Sequence, residues 1–128
     1  MRIEKFQTSD VLEVKFIHKV IRSGEIPTSP GGTLRFEGEA YGSEISFFWV
    51  NNVPGAGPGL HKHPYSETWI IRSGKALMTA GELELEAGPG DIFVVTAETP
   101  HKFKNIGTER LEIFCVHASP RFIQEDLE

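Results

Sequence analysis

The chain has 128 residues, of which 39% are hydrophobic and 24% are charged, and its formal net charge is −5. This length suits one compact domain with a single hydrophobic core, and the composition is not that of a disordered chain. The acidic balance, without any basic cluster, argues against a nucleic-acid surface and gives no support to contact with an anionic membrane.

The cysteine count and the termini bear on the compartment. Cys115 is the only cysteine, so an intrachain disulfide is impossible. The first residues contain no apolar signal core, and no run of apolar residues reaches the length of a membrane span. We therefore expect a cytoplasmic protein that has no membrane partner.

The first third of the chain gives the weakest structural signal. Residues 11–21 partly alternate between apolar and charged positions, which predicts a strand, and a short helix is the alternative. Residues 23–33 are rich in proline and glycine, and this composition predicts an irregular loop. We expect residues 1–33 to form N-terminal strands and a loop.

From Leu34 onward, the chain alternates between short apolar or β-branched segments and turn residues. This pattern is typical of an all-β sandwich or barrel, and no long helical period is present. We expect a single domain over residues 1–128, with a barrel core at residues 34–118 and a short helical or extended tail at residues 119–128. The segment at residues 92–96 predicts a buried strand. The strands are predicted at residues 34–37, 45–50, 67–72, 75–80, 82–86, 92–96, 100–105 and 111–117.

Four side chains that can bind a metal stand out. His61 and His63 are two residues apart and so point to the same side of a strand, and Glu67 follows them. His101 lies on a later strand, where alternation with two lysines predicts that the imidazole points inward. The sequence therefore predicts that His61, His63, Glu67 and His101 bind one ion inside the barrel.

The ligand types limit the choice of ion. Three imidazoles and one carboxylate suit a divalent Fe, Mn, Ni, Zn, Co or Cu ion, whereas Ca²⁺ prefers oxygen ligands. In an octahedral site these four ligands leave two positions open for a small molecule. The ion and its ligands carry a formal charge of +1, which favours an anionic or enolisable ligand.

The other polar and aromatic candidates have ordinary structural interpretations. His18 is interpreted as a surface histidine, and Cys115 as an inert buried thiol. His117 shares the parity of Cys115, and a place in the pocket or beside the ligands is the alternative to a purely structural role. The remaining residues are interpreted as core or pocket wall (Trp49 and Trp69), as the pocket mouth (Tyr65), and as a solvated face (Glu82, Glu84 and Glu86).

At these residues the chain resembles the cupin superfamily. The first cupin motif, G-x5-H-x-H-x3-E-x6-G, is matched at every spacing from Gly55 to Gly74. The second motif, G-x5-P-x-G-x2-H-x3-N, is matched by Gly90, His101 and Asn105. Its inner Pro-x-Gly is replaced by residues 96–98, Thr-Ala-Glu, which changes a turn and leaves the ligands in place.

The resemblance implies a cupin-type jelly-roll barrel with His61, His63, Glu67 and His101 as metal ligands, and it suggests a homodimer. It favours a small metalloenzyme, of the dioxygenase, isomerase or decarboxylase type, that acts on a small oxygen-rich molecule. In that case Glu67 also acts as a base. A non-catalytic ligand-binding or sensor module and a storage role are the alternatives, and the reaction and the metal stay open.

Overall fold

The computed structural model describes residues 18–128, which fold into two antiparallel β-sheets of five strands each. The first sheet has the order β1-β2-β9-β4-β7 and the second the order β10-β3-β8-β5-β6. The strands are β1 (Leu34–Phe36), β2 (Ser46–Asn52), β3 (His61–Lys62), β4 (Glu67–Ser73), β5 (Ala76–Ala80), β6 (Leu83–Ala87), β7 (Ile92–Val95), β8 (His101–Asn105), β9 (Leu111–His117) and β10 (Glu125–Asp126).

The prediction of an all-β jelly roll is confirmed by this arrangement. Chain neighbours are often separated in space, since β4 lies between β7 and β9 and β3 lies between β8 and β10. Such crossing connections between two packed antiparallel sheets define a jelly roll. The helical elements within residues 18–128 are two short 3-10 turns, Ser23–Glu25 and Gly38–Tyr41, and none of the described helices could cross a membrane.

One apolar core lies between the inner faces of the two sheets. Strand alternation supplies it, because every second residue of β8 and β9 is buried, as are Glu67, Trp69 and Ile71 of β4. Trp69, Met78, Leu111 and Ile113 are each fully buried in this core. The same inner faces carry the polar side chains of the site, so apolar packing fixes the strands that present them.

The N-terminal prediction falls partly outside the described residues, since it covers residues 11–21. Residues 18–21 form no strand, and His18 is exposed, as expected for a surface histidine. The loop expected at residues 23–33 contains the first 3-10 turn, and Thr28 forms an isolated bridge with Leu34.

The prediction of a buried strand at residues 92–96 was wrong in one respect. The segment forms β7, but Ile92 and Val94 are 65% and 61% exposed. The physical reason is strand alternation: Phe93 and Val95 pack against the core, so Ile92 and Val94 point to the outer face of the first sheet, at whose edge β7 lies. Its alternate residues therefore face away from the core although they are apolar.

The C-terminal tail is extended. β10 pairs with β3, so that Asp126 lies opposite His61, and the Leu127 amide donates to the Leu60 carbonyl at 2.8 Å. Phe122 stacks on Phe48 with ring centroids 4.3 Å apart. The tail thus covers one end of the barrel next to the predicted ligands.

Candidate metal centre

The structure brings the four predicted ligands together. β3 pairs with β8 so that His61 lies directly opposite His101. His63 follows β3, and Glu67 is the first residue of β4. All four side chains are buried, and one nitrogen or oxygen from each lies within 4.8 Å of the others.

Backbone carbonyls fix the orientation of all three imidazoles. The Nδ1 atoms of His61, His63 and His101 lie 2.7, 2.8 and 2.7 Å from the carbonyl oxygens of Gly59, Ile123 and Thr99. A carbonyl can only accept, so each Nδ1 carries the proton and donates it. The opposite nitrogen, Nε2, of each neutral ring then keeps a free lone pair, which is the state that a metal ligand requires.

Unprotonated imidazole nitrogens and the Glu67 carboxylate lie close together, an arrangement that a cation would stabilise. Glu67 Oε1 lies 3.0 Å from His101 Nε2 and 3.2 Å from His63 Nε2. The second contact does not have the geometry of a hydrogen bond, and within residues 18–128 His63 Nε2 is the buried side-chain polar atom that lacks a hydrogen-bond partner. A positive ion among these atoms would satisfy His63 and remove the repulsion between lone pairs.

The spacing of these atoms also fits a metal ion. Ligand atoms that lie about 2.1 Å from one ion are roughly 3 Å apart when adjacent and about 4.2 Å apart when opposite. The two contacts of Glu67 Oε1 match adjacent ligands, and the 4.8 Å limit on the whole set leaves room for opposite ones. His61, His63, Glu67 and His101 could therefore hold one divalent transition metal.

The second oxygen of Glu67 has other partners. Trp69 Nε1 donates to Oε2 at 2.6 Å, and His117 Nε2 lies 3.1 Å from the same atom. His117 Nδ1 is in turn 2.7 Å from the hydroxyl of Tyr65. Because Trp69 and His117 flank Oε2, Oε1 is the oxygen that faces His63 and His101.

Burial and hydrogen bonding act on the Glu67 carboxyl in opposite directions. Burial by itself raises the pKa of Glu67, but its contacts with His101, His117 and His63 outweigh it and hold that pKa well below its usual range. For His63 and His101 this requires a proton or a metal ion on Nε2, because a bare lone pair would repel the carboxylate. Burial lowers the pKa of His61, which favours its neutral, ligating form. The site therefore holds an ionised carboxylate and a neutral His61.

His117, Trp69 and Tyr65 contribute more to the site than the sequence indicated. Trp69 is fully buried, as expected, but its indole also fixes Glu67. His117 is 2% exposed and lies opposite Glu67 in the pairing of β4 with β9. The shared parity of His117 and Cys115 was the only sequence signal for this position. Trp49, by contrast, lies outside the core, where it is 37% exposed and donates to Glu112.

The turn before His101 keeps its shape despite the departure from the motif. Glu98 occupies the position where the motif has glycine, and its φ of 63° lies in the left-handed region that favours glycine. Its amide donates to the His63 carbonyl at 2.7 Å. The turn that leads into His101 is therefore tied directly to the segment that carries His63.

A cavity of about 410 Å³ opens beside the cluster. His61, Glu67, His117 and Cys115 are among the residues that line it. This volume lies in the range of small-molecule sites. The ligand cluster thus stands at the wall of a space that can admit a substrate.

Cys115 is expected to be chemically inert in the folded protein. The thiol is 2% exposed; burial raises its pKa, and the nearby Glu67 carboxylate raises it further. We expect its reaction with a chromogenic disulfide at mildly alkaline pH to be about 100-fold slower in the native protein than in concentrated urea. Equal rates in the two conditions would show that the thiol is open to solvent.

Comparison with known proteins gives a family match that spans these residues. A family model described as "Cupin domain" matches residues 48–117, which is more than half of the chain and includes all four predicted ligands. An uncharacterized protein of Methanocaldococcus jannaschii is 40% identical over 70 residues, which are 54% of this chain and 55% of that protein.

Solved structures with a similar fold include two oxalate decarboxylases. The Lactobacillus farciminis enzyme, in a formate complex, has a TM-score of 0.72 and 23% identity over 81% of this chain and 34% of its own. The Bacillus subtilis enzyme, described with its Mn(II) centres, has a TM-score of 0.70 and 25% identity over 80% of this chain and 29% of its own. The chain thus spans about half of its curated relative and about a third of these enzymes.

Proposed function

This chain belongs to the cupin superfamily, and on that premise we propose that it is a small metalloenzyme acting on a small oxygen-rich molecule that chelates the metal. The observation that carries the proposal is the set of three imidazole Nε2 lone pairs and one carboxylate oxygen, all buried at the wall of a 410 Å³ cavity. A buried structural site has no need of an adjoining cavity, whereas a catalytic site must admit its substrate.

We propose a divalent transition metal as the cofactor, with Mn(II) as the first ion to test. Mn(II) is suggested by the Bacillus subtilis oxalate decarboxylase, which has Mn(II) centres and a similar fold. The mixed nitrogen and oxygen ligands are compatible with it and with Fe, Co, Ni, Cu and Zn. When bound, such an ion supplies Lewis acidity that polarises the oxygens of the substrate.

The protein residues would contribute charge, orientation and a proton acceptor. His61, His63 and His101 hold their rings in place through backbone carbonyls, so the site is pre-organised. Glu67 is the proposed base. Its partners lower its pKa, so it would accept a proton only after leaving one of them. His117 Nε2 lies beside Oε2, and the Tyr65 hydroxyl contacts His117 Nδ1, so these two groups would hold Oε2 in place while Glu67 takes up the proton.

Glu67→Gln is expected to lower turnover by about 100-fold or more, because the amide cannot accept the proton. The NH2 group of the amide would have to face either the metal or the Trp69 donor, so the metal content is expected to fall as well, and turnover is compared per bound metal ion. The measurement combines elemental analysis with oxygen consumption and product formation on a panel of diketones, flavonols, catechols and thiols, for the apo protein and for each metal-loaded form. Full activity of the variant would show that Glu67 is not the base.

The same panel tests the proposal as a whole. Metal-dependent turnover of one substrate class supports it. Saturable binding of one compound without turnover by any metal-loaded form would contradict it and favour a ligand-binding or sensor module. Absence of both binding and turnover would favour the storage role.

A further inference from the structure

The cavity beside the ligand cluster has mainly apolar walls. We infer that its ligand is a neutral or singly charged chelator with an apolar arm, in contrast to a small dicarboxylate. This inference rests on the proposed metal binding, and it names the substrate class for the same site. It concerns binding alone and therefore holds whether or not the bound molecule is turned over.

The residues along the cavity wall decide its chemistry. Apart from the cluster itself, the larger side chains that line it are apolar or weakly polar, and the polar ones, Thr33, Asn52 and Gln124, carry no charge. Within the described part of the chain, no lysine or arginine lines this cavity. The apolar and weakly polar lining side chains are Phe48, Val50, Ala56, Pro58, Phe103 and Cys115.

The register of the first sheet shows how the cavity extends. Phe48 lies opposite Cys115, Val50 opposite Ile113, and Asn52 opposite Leu111. Residues two apart on a strand are about 6.8 Å apart, so the wall from Phe48 to Asn52 is about 13 Å long. His117, next to Glu67, pairs with Ser46 at the near end of β2. The cavity thus leads from the cluster along Phe48 and Val50 toward an amide.

The charges in the cavity limit the charge of the ligand. A divalent ion with the Glu67 carboxylate leaves a formal charge of +1, which one anionic oxygen of a chelator neutralises. A dianion that chelates through both carboxylates would leave the buried site with a net charge of −1, and the described lining offers no lysine or arginine to compensate it. A dianion such as oxalate would therefore bind less well here than a singly charged chelator.

The size and polarity of the wall favour an apolar arm. A planar ring placed between Phe48, Val50 and Phe103 would bury its apolar surface, which is favourable by about 25 cal/mol per Å² removed from water. Oxalate has no such surface and would occupy only a small part of the 410 Å³. The gain from an arm the size of a phenyl ring corresponds to about a tenfold increase in affinity or more.

Isothermal titration of the Zn(II)-loaded full chain tests the inference with three chelators: oxalate, acetohydroxamate and benzohydroxamate. The two hydroxamates share one chelating group and differ only in the apolar arm. We expect benzohydroxamate to bind about tenfold more tightly than acetohydroxamate, and oxalate to bind more weakly than either. Equal affinities for the two hydroxamates, or tightest binding of oxalate, would overturn the inference.

Two variants with the same chemical change locate the effect. Val50→Thr keeps the shape of the wall and adds a hydroxyl, so the advantage of benzohydroxamate should fall by about threefold or more while acetohydroxamate binding is unchanged. Val94→Thr, on the exposed face of β7, should leave all three affinities unchanged. An unchanged advantage in Val50→Thr would place the arm elsewhere and contradict the inference.

Zn(II) content is measured before and after every titration. Failure to retain Zn(II) in the unliganded protein would contradict the proposed metal site itself. Retained Zn(II) with no preference among the chelators would contradict only the inference about the substrate class.

Discussion

Replacing His61 with alanine is expected to lower the affinity for a divalent metal by about 100-fold or more. The reason is that the ring supplies one of four ligand atoms clustered within 4.8 Å, and its Nδ1 atom is already oriented by the Gly59 carbonyl. The measurement is elemental analysis of the protein as isolated, together with competition against a chromophoric chelator.

His18→Ala provides the matched control for this experiment. His18 is exposed and lies outside the cluster, so its removal should leave the metal content unchanged. A second readout is the thermal midpoint, because an ion that binds only the folded state raises it. This metal-dependent rise should persist in His18→Ala and largely disappear in His61→Ala. Unchanged metal content in His61→Ala would refute the assignment of the ligands.

Replacing Gly57 with alanine is expected to lower the free energy of unfolding by about 3 kcal/mol or more. A Cβ atom at this position would collide with the carbonyl oxygen of Phe103, at a separation that real Cβ atoms do not show. That carbonyl is backbone of β8, the strand that begins with His101, and it cannot move without disturbing the ladders to β3 and β5. Urea denaturation of the apo protein measures the change.

Gly59→Ala is the control for the collision at Gly57. Gly59 lies in the same glycine-rich segment, but the nearest atom to its added Cβ would be 3.5 Å away, which is ordinary contact. We expect its effect on the free energy of unfolding to be within about 1 kcal/mol. Similar losses in the two variants would mean that the segment responds to any side chain and that the close approach of Gly57 to Phe103 is not the cause.

These two predictions differ in how far the sequence could anticipate them. The metal ligands follow from alternation. His61 and His63 are two residues apart and so share a face, and Lys102, the residue after His101, points to the opposite face. In the structure these three histidines are 7%, 1% and 1% exposed. The close contact of Gly57 has no such signal in the sequence. Gly55, which belongs to the motif, and Gly57 are both glycines of the same segment, and the sequence does not show which of them lacks room for a side chain. Gly55 has open space around it and a φ of 85°, whereas Gly57 abuts β8.

The surroundings of Glu67 depend on contacts between distant parts of the chain. His117 reaches the carboxylate because β4 and β9 pair antiparallel with Glu67 opposite His117. The Nδ1 atom of His63 is held by the Ile123 carbonyl, 60 residues away. Neither contact follows from local periodicity, since strand register is set by the packing of the whole barrel.

The sequence by itself therefore determined the all-β class, most strand positions and the four side chains that face inward at the candidate metal centre. It could do so because alternation and turn residues act locally, within one or two residues. The tertiary structure alone decided that β7 lies at an edge and that its outer face, which carries Ile92 and Val94, stays exposed. It also decided which groups hold Glu67 and the histidines, and the apolar character of the cavity beside them, because strand order and register bring together residues that lie far apart in the chain.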